Sequence, residues 1–370
     1  MSPDPQADDR PAGFEPTRWK DPRWAAWAFR NTAQFMPVRK IAPSATPRAL
    51  PRAELREPGR WGDFLQETFA TSAVLVINDK VLAALPGSLS DPQPHMLFSV
   101  TKSVVGLVAR LLIETGVVDE RQTAAELLPD LAGTAFAGAS WSELLAMRDG
   151  VPFDETYADP HADIHRYSRG YWGNASGGAR AQLARLPSQP SQPGFAYRTP
   201  VADVIGAMLT ASTGQSLATL VEELLWQPMG AANPAHFVCD TAGVEIAGAG
   251  LNATTADLLR LAMLLLDAGA WHGRQILPRH AVEALFAGGD ADRITPALPG
   301  RSGWSYHDLW WHMGGCRIAA LGVHGQRLII DRSRRTVLLR TGAQPAPDNG
   351  SFDAAHTAML DSITTSLCVT

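Results

Sequence analysis

Strand-forming runs stand near both ends of this 370-residue chain with a long helical stretch between them, and that order constrains the fold more than any other feature. Residues 73–83 hold two β-branched runs about Asn78-Asp79, the pattern of a hairpin. After Pro299, strand patterns return at 304–313, 317–323 and 327–340, the last folding back at 331–334, before a final helix over 352–367. In the middle, segments such as 124–128, 141–147, 201–213, 217–225 and 255–268 carry apolar residues at helical spacing, often opened by Ser, Thr or Asp and closed by Gly. Strands that far apart in sequence reach a common core by pairing with one another. The expectation is an α/β (α+β) protein. One antiparallel sheet with flanking helices is built from residues 56–98 and 290–370 and carries a large all-α insertion, with residues 99–289 forming a mainly α-helical domain.

Two stretches fall outside this pattern. Residues 1–55, rich in Pro, Arg and Trp, predict an irregular arm that Trp19, Trp24 and Trp27 anchor to the body and whose start is disordered. Residues 149–194 are polar, aromatic and rich in Gly and Pro, too long for a plain connection, and predict a substrate-side or lid loop. Its Tyr157, Tyr171 and Trp172 either give a pocket aromatic surface suited to apolar chains or only pack the loop.

The chain is 45% hydrophobic, enough for a sizeable core, with a net charge of −5 and no basic run, so the footprint of a nucleic-acid binder is missing. The acidic, polar N-terminus lacks the pattern of a signal peptide and no apolar run approaches membrane-spanning length, which predicts a cytoplasmic protein with no membrane partner. Cys239, Cys316 and Cys368 have no metal-site or disulfide spacing, and the histidines form no zinc motif, so no metal is expected.

Ser99-Val-Thr-Lys102 opens the apolar run that begins at Ser103. On a helix, Ser99 and Lys102 share one face a turn apart, where an amine reaches a hydroxyl. A serine hydroxyl attacks a carbonyl only if a neighbour takes its proton, and a desolvated lysine of lowered pKa does that. The helix N-terminus adds free N–H groups suited to an oxyanion. The plainer alternative is a capping serine beside a solvated lysine. Among only four lysines, Lys102 alone has a serine three residues before it, and it lies among Phe98, Val and Leu, where an unpaired ammonium is costly.

Ser99-Val-Thr-Lys102, with this sheet–helices–sheet order, resembles the serine β-lactamase and penicillin-binding-protein superfamily, in a class C-like form. The resemblance implies a β-lactamase/transpeptidase-like fold, Ser99 as nucleophile, and a tyrosine motif that Tyr197-Arg-Thr199 fills. It also implies a third motif on a strand lining the site, here Ala320-Leu-Gly-Val323. The lysine of penicillin-recognising branches is replaced there by Ala320, which argues against β-lactams or D-Ala-D-Ala peptides as main substrates. The Val323 and Ser99 N–H groups would form the oxyanion hole.

Gly322-Val-His-Gly-Gln326 and Glu155-Thr-Tyr157 are similar to the 6-aminohexanoate-oligomer (nylon oligomer) hydrolases, which overlap with family VIII-type carboxylesterases. In that branch the loop tyrosine, matched by Tyr157, closes over the substrate. Thr199, Trp172 and His324 are the further candidates for substrate contact. The acid that binds a substrate's amino end in that branch falls near Tyr167-Ser168, where none stands; Asp154, Glu155, Asp159 and Asp163 of the loop would instead offer a favourable potential to an ammonium.

The function implied is hydrolysis of a small-molecule ester or amide through an acyl-enzyme, needing no cofactor, with Lys102 and Tyr197 sharing the proton work and either one the base. The alternatives are a catalytically silent binding protein of the same fold, or a β-lactamase or D,D-peptidase. Oligomeric state stays open, a homodimer being one expectation.

Overall fold

In the computed structural model, the described residues are 10–172, 177–187, 194–289, 301–347, 350 and 352–367. The expected disorder of the first residues lies outside them. An eight-stranded sheet joins both ends of the chain in the order Ser305–His307, Trp310–His312, Arg317–Gly322, Gln326–Asp331, Thr336–Gly342, Ala70–Ile77, Lys80–Ala84, Arg52–Ala53. All neighbours run antiparallel except the last pair, which is parallel. The junction of the two ends is the pairing of Thr336–Gly342 with Ala70–Ile77, in which Val337, Leu338 and Leu339 face Val76, Leu75 and Val74. All six are buried, so the seam between the two ends of the chain lies inside the core.

The helix Val100–Glu114 packs on this sheet and against the helix Thr199–Thr213. Its contact with the sheet depends on Gly106, where a Cβ would stand 2.1 Å from the Asp308 carbonyl oxygen. Thr199–Thr213 has Pro200 in its first turn, where the missing N–H costs nothing, and ends on Gly214 in the left-handed conformation.

The mainly helical middle also contributes short strands: Ala270–Trp271 pairs with Arg274–Gln275, and Ala235–Val238 and Leu251–Ala253 join a four-stranded sheet in the order Val38–Ile41, Ala235–Val238, Leu251–Ala253, His95–Met96. Its strands have between two and four residues, too short for alternation to register as a pattern. The N-terminal arm supplies its edge, so the arm is partly ordered by ladder bonds as well as by tryptophans. The stretch 149–194 likewise contains the helices Asp163–Trp172 and Gly178–Leu183. No single described helix is long and apolar enough to cross a membrane.

Candidate active site

The small sheet leads directly to Ser99. From the strand His95–Met96 the chain passes Leu97, whose N–H donates to the Leu251 carbonyl at 2.9 Å, and turns at Phe98, which holds a left-handed φ of 47°. Such a conformation in a bulky residue costs on the order of 1–3 kcal/mol and persists where surrounding contacts enforce it. Phe98 is clamped by Trp19, stacked at 5.8 Å, and by Phe29 and His324 at 5.0 and 5.2 Å. Ser99 then precedes the helix, but its hydroxyl makes no capping bond. Its partner is Lys102.

Lys102 is 1% exposed, and its Nζ has three oxygen neighbours: Ser99 Oγ at 2.8 Å, Thr199 Oγ1 at 3.1 Å and the Gly248 carbonyl at 2.7 Å. Burial lowers its pKa from 10.5 to about 8, against the pull of Glu155 and Asp203. The neighbours also fix its lone pair. The Gly248 oxygen only accepts, and Thr199 Oγ1 spends its proton on Glu155 Oε1 at 2.5 Å, so it too accepts from Lys102. A neutral Lys102 amine thus gives its two protons to Thr199 and Gly248, and its lone pair is left facing Ser99.

Two carboxylates hold this arrangement. Glu155 takes both the N–H and the hydroxyl of Thr199, and burial raises its pKa. Asp203 accepts the Gly248 N–H at 2.9 Å, the Tyr167 hydroxyl at 2.9 Å and the Tyr171 hydroxyl, with its pKa pushed up by burial to about 6. Gly248 admits no side chain, because a Cβ would lie 2.6 Å from the Tyr171 hydroxyl and 2.9 Å from Thr199 Cγ2.

Tyr197 precedes the helix that carries Thr199 and is held by its neighbours: Ala196 N–H donates to Met147 O at 3.1 Å, and buried Arg198 pairs with Asp149 at 3.2 Å. Its ring stacks on Trp311 at 5.6 Å and lies 5.2 Å from Lys102 Nζ, and its hydroxyl interacts with that of Ser99. Burial, then the charge of Glu155, raise its pKa above the usual phenol value, so it stays protonated.

The strand Arg317–Gly322 brings Val323 and His324 to the same place. A Cβ at Gly322 would lie 2.4 Å from the Leu97 carbonyl, so only glycine lets this strand close on the segment before the nucleophile. Ala320 is fully buried and paired with Leu328. His324, with φ 59°, is bonded through Nδ1 to the Gln344 carbonyl at 2.7 Å, and burial lowers its pKa to about 4, which keeps it neutral.

A cavity of about 240 Å³ opens over Ser99 and is lined by Tyr157, Thr199, Trp172, Val323 and His324 among others. All the sequence-derived candidates therefore meet at one place, and of the loop acids only Glu155 joins them, bonded to Thr199 and Tyr157 behind the cavity wall. None of Asp154, Glu155, Asp159 and Asp163 lines the cavity. Asp154 and Asp159 accept from the N–H groups of Thr156 and His161, Asp163 accepts from Asp154 N–H and pairs with Arg166, and Glu155 is consumed by Thr199. Short acids in turns bond their own backbone first. Tyr171 reaches the cavity wall, but its hydroxyl belongs to Asp203.

Sequence reasoning missed Asp203, Gly248 and Lys20. A lone acid within the apolar helix Thr199–Thr213 was a signal for Asp203. Gly248 and Lys20 carry no comparable mark.

A long helix buried on an antiparallel sheet, with a serine and a lowered-pKa lysine at its head, defines a β-lactamase-like fold and a site of serine-hydrolase type. The sequence matches the beta-lactamase family over residues 65–358, and the chain belongs to that family. It is 27% identical to a 6-aminohexanoate-dimer hydrolase of Paenarthrobacter ureafaciens, over 94% of this chain and 93% of that protein. Among solved structures, a Bacillus anthracis protein assigned as a 6-aminohexanoate-dimer hydrolase superposes with a TM-score of 0.83 at 23% identity, covering 96% of this chain and 97% of that one. A family VIII carboxylesterase superposes with a TM-score of 0.59 at 14% identity, covering 82% and 93%. The chain is a hydrolase of the β-lactamase superfamily, related to these proteins.

Proposed function

We propose that this protein hydrolyses small esters and amides through an acyl-enzyme on Ser99. The observation that carries this is the 2.8 Å contact between Ser99 Oγ and a Lys102 amine whose other two hydrogen bonds are fixed. Lys102 takes the Ser99 proton as the oxygen attacks the scissile carbonyl, since it is the group poised near neutrality while Tyr197 is held protonated. The Ser99 and Val323 N–H groups receive the oxyanion. Tyr197 donates its proton to the departing alcohol or amine and regains one through Lys102. Water enters by the same path in reverse, and its proton passes to the leaving Ser99 oxygen.

Ala320 supplies no cation beside Val323, which favours esters and linear amides over β-lactams. A fluorophosphonate probe tests the nucleophile: one equivalent should attach at Ser99 and none to Ser99→Ala. A panel of short p-nitrophenyl esters, nitrocefin and linear 6-aminohexanoate dimer then ranks substrates, with the esters first. An unlabelled, inactive wild-type protein would leave the silent binding protein as the better account.

A further inference from the structure

The cavity over Ser99 is walled mostly by aromatic and small residues, and one side chain in that wall carries a full charge: Lys20, from the N-terminal arm. Its Nζ stands 5.3 Å from the Trp19 ring centroid and 5.4 Å from that of Trp172, two rings that meet edge to face at 5.3 Å. Trp19 is itself stacked on Phe98, the residue before the nucleophile. The amine is thus anchored to the active site by an aromatic chain, whereas a surface lysine is free to sweep through solvent. Among the described residues no acid contributes to its pKa, which burial alone moves, and no carboxylate lines the cavity. Its charge reaches the back of the cavity, where it contributes to lowering the pKa of His324 beside Val323.

An ammonium with no carboxylate partner among the described residues, held at the rim of a small and largely aromatic pocket, is an unfinished ion pair. Burial already lowers its pKa to about 8, and an anion arriving in the cavity would offset that loss of hydration. At about 240 Å³ the cavity is smaller than the roughly 300 to 1,000 Å³ of drug-sized sites, which suits a short anion-bearing molecule.

We propose that Lys20 sets the specificity of this site by receiving the carboxylate of a short acid-terminated ester or amide whose scissile carbonyl lies at Ser99. This rests on the hydrolase reading above and extends it to a substrate class: half-esters or half-amides of dicarboxylic acids, or acyl derivatives of amino or hydroxy acids. The free carboxylate is the shared feature. It reverses the sequence-based expectation of an ammonium-bearing end, because the cation of the cavity is the protein's own.

Two matched substrate pairs test this. Mono-p-nitrophenyl glutarate and p-nitrophenyl pentanoate place a carboxylate or a methyl at the end of equal acyl chains, and p-butanoyloxybenzoate and its methyl ester do the same on the leaving group. In Lys20→Met, kcat/KM should fall about tenfold or more on the acid member of one pair, chiefly through KM, as expected for losing a charge-assisted hydrogen bond. The neutral member should fall far less, and Lys20→Arg should retain most of the wild-type preference. The pair that responds identifies the side of the scissile bond bearing the carboxylate. Equal losses on both members of both pairs would overturn the proposal while leaving the hydrolase intact. If the wild-type protein turns over none of these esters, the hydrolase reading fails separately, and glutarate titration followed by tryptophan fluorescence decides the role of Lys20. Binding at least tenfold tighter in wild type than in Lys20→Met supports it; indifference to the substitution refutes it.

Discussion

The two sides of the cavity are built on opposite principles. On the Ser99 side, each polar atom has a designated partner: Lys102 is shared among Ser99, Thr199 and Gly248, and these in turn are fixed by Glu155 and Asp203. On the facing side, Trp19, Trp172 and Lys20 come from segments more than a hundred residues apart and are joined by ring contacts, with the lysine amine meeting no carboxylate among the described residues. A proton moves reliably only between groups whose lone pairs are oriented in advance, and a dry, saturated network provides that. A substrate must enter and leave, which a wall of aromatic faces permits because such contacts have broad geometry. The contrast implies that changes on the first side act on kcat and changes on the second act on KM.

The strongest way to break that division is to cut the saturated side. Lys102→Ala and Tyr197→Phe should each lower kcat by roughly 10²–10⁴, the usual worth of general acid–base help. Because both serve one proton path, the double variant should be little slower than the worse single one. Single-turnover rates that fell multiplicatively would mean that the two residues act independently and that the path through both is wrong.

A second prediction concerns the cost of keeping Lys102 buried. Its folded pKa of about 8 lies below the ordinary 10.5, so the unfolded chain holds more protons between those values and wild-type stability rises with pH across that window. The shift from 10.5 to about 8 corresponds to about 3 kcal/mol. Lys102→Met keeps the stem and cannot titrate. Its unfolding free energy relative to wild type should therefore decline by up to that amount as pH rises from 8 to 10.5, in denaturant melts at closely spaced pH values. The same titration should appear in wild-type kcat/KM, which should climb as pH approaches 8 and then level, since the neutral amine is the base. Parallel stability profiles for the two proteins would place the Lys102 pKa near its ordinary value and remove the reason for calling it the base.

How much of this was legible in the sequence follows from the same division. Ser99 and Lys102 lie three residues apart, so the helix that carries them also sets their spacing, and the sheet–helices–sheet order was visible in two periodicities. Tyr197 needed a family pattern to be singled out, because no local spacing ties it to Ser99. The carboxylates were misjudged for a physical reason. Acids in a Gly- and Pro-rich loop look solvent-facing, but Glu155 is captured by the first turn of the helix Thr199–Thr213, a contact across 44 residues. Lys20 was invisible, because an arm without periodicity gives no hint of the strand Val38–Ile41 that ties it down or of the stacking of Trp19 on Phe98.

Neighbouring residues of one helix allow the finest test. Tyr171 and Trp172 both line the cavity, and by sequence they looked alike. In the structure they serve opposite sides: the Tyr171 hydroxyl donates to Asp203, which holds Gly248 and through it Lys102, whereas the Trp172 ring packs on Trp19 and Lys20. A hydrogen bond to a carboxylate is worth about 1.5–3 kcal/mol, and Asp203 keeps two other donors that hold it in place, so Tyr171→Phe should lower kcat on a neutral ester about fivefold with little change in KM. Asp203 would also lose a donor that stabilises its charged form, and its pKa, already about 6, should move higher. Any loss of activity on the acid side of the pH profile should then begin at higher pH than in wild type. Trp172→Leu removes aromatic surface from the wall and meets the Lys102 network only through an edge contact with the Tyr171 ring at 5.4 Å, with no hydrogen bond to it, so with the same neutral ester it should raise KM several-fold and leave kcat and the pH profile in place. A Trp172→Leu variant with reduced kcat and unaltered KM, or a Tyr171→Phe variant altered only in KM, would mean that the cavity wall and the proton path are mechanically coupled through this helix and that the two sides work as one unit.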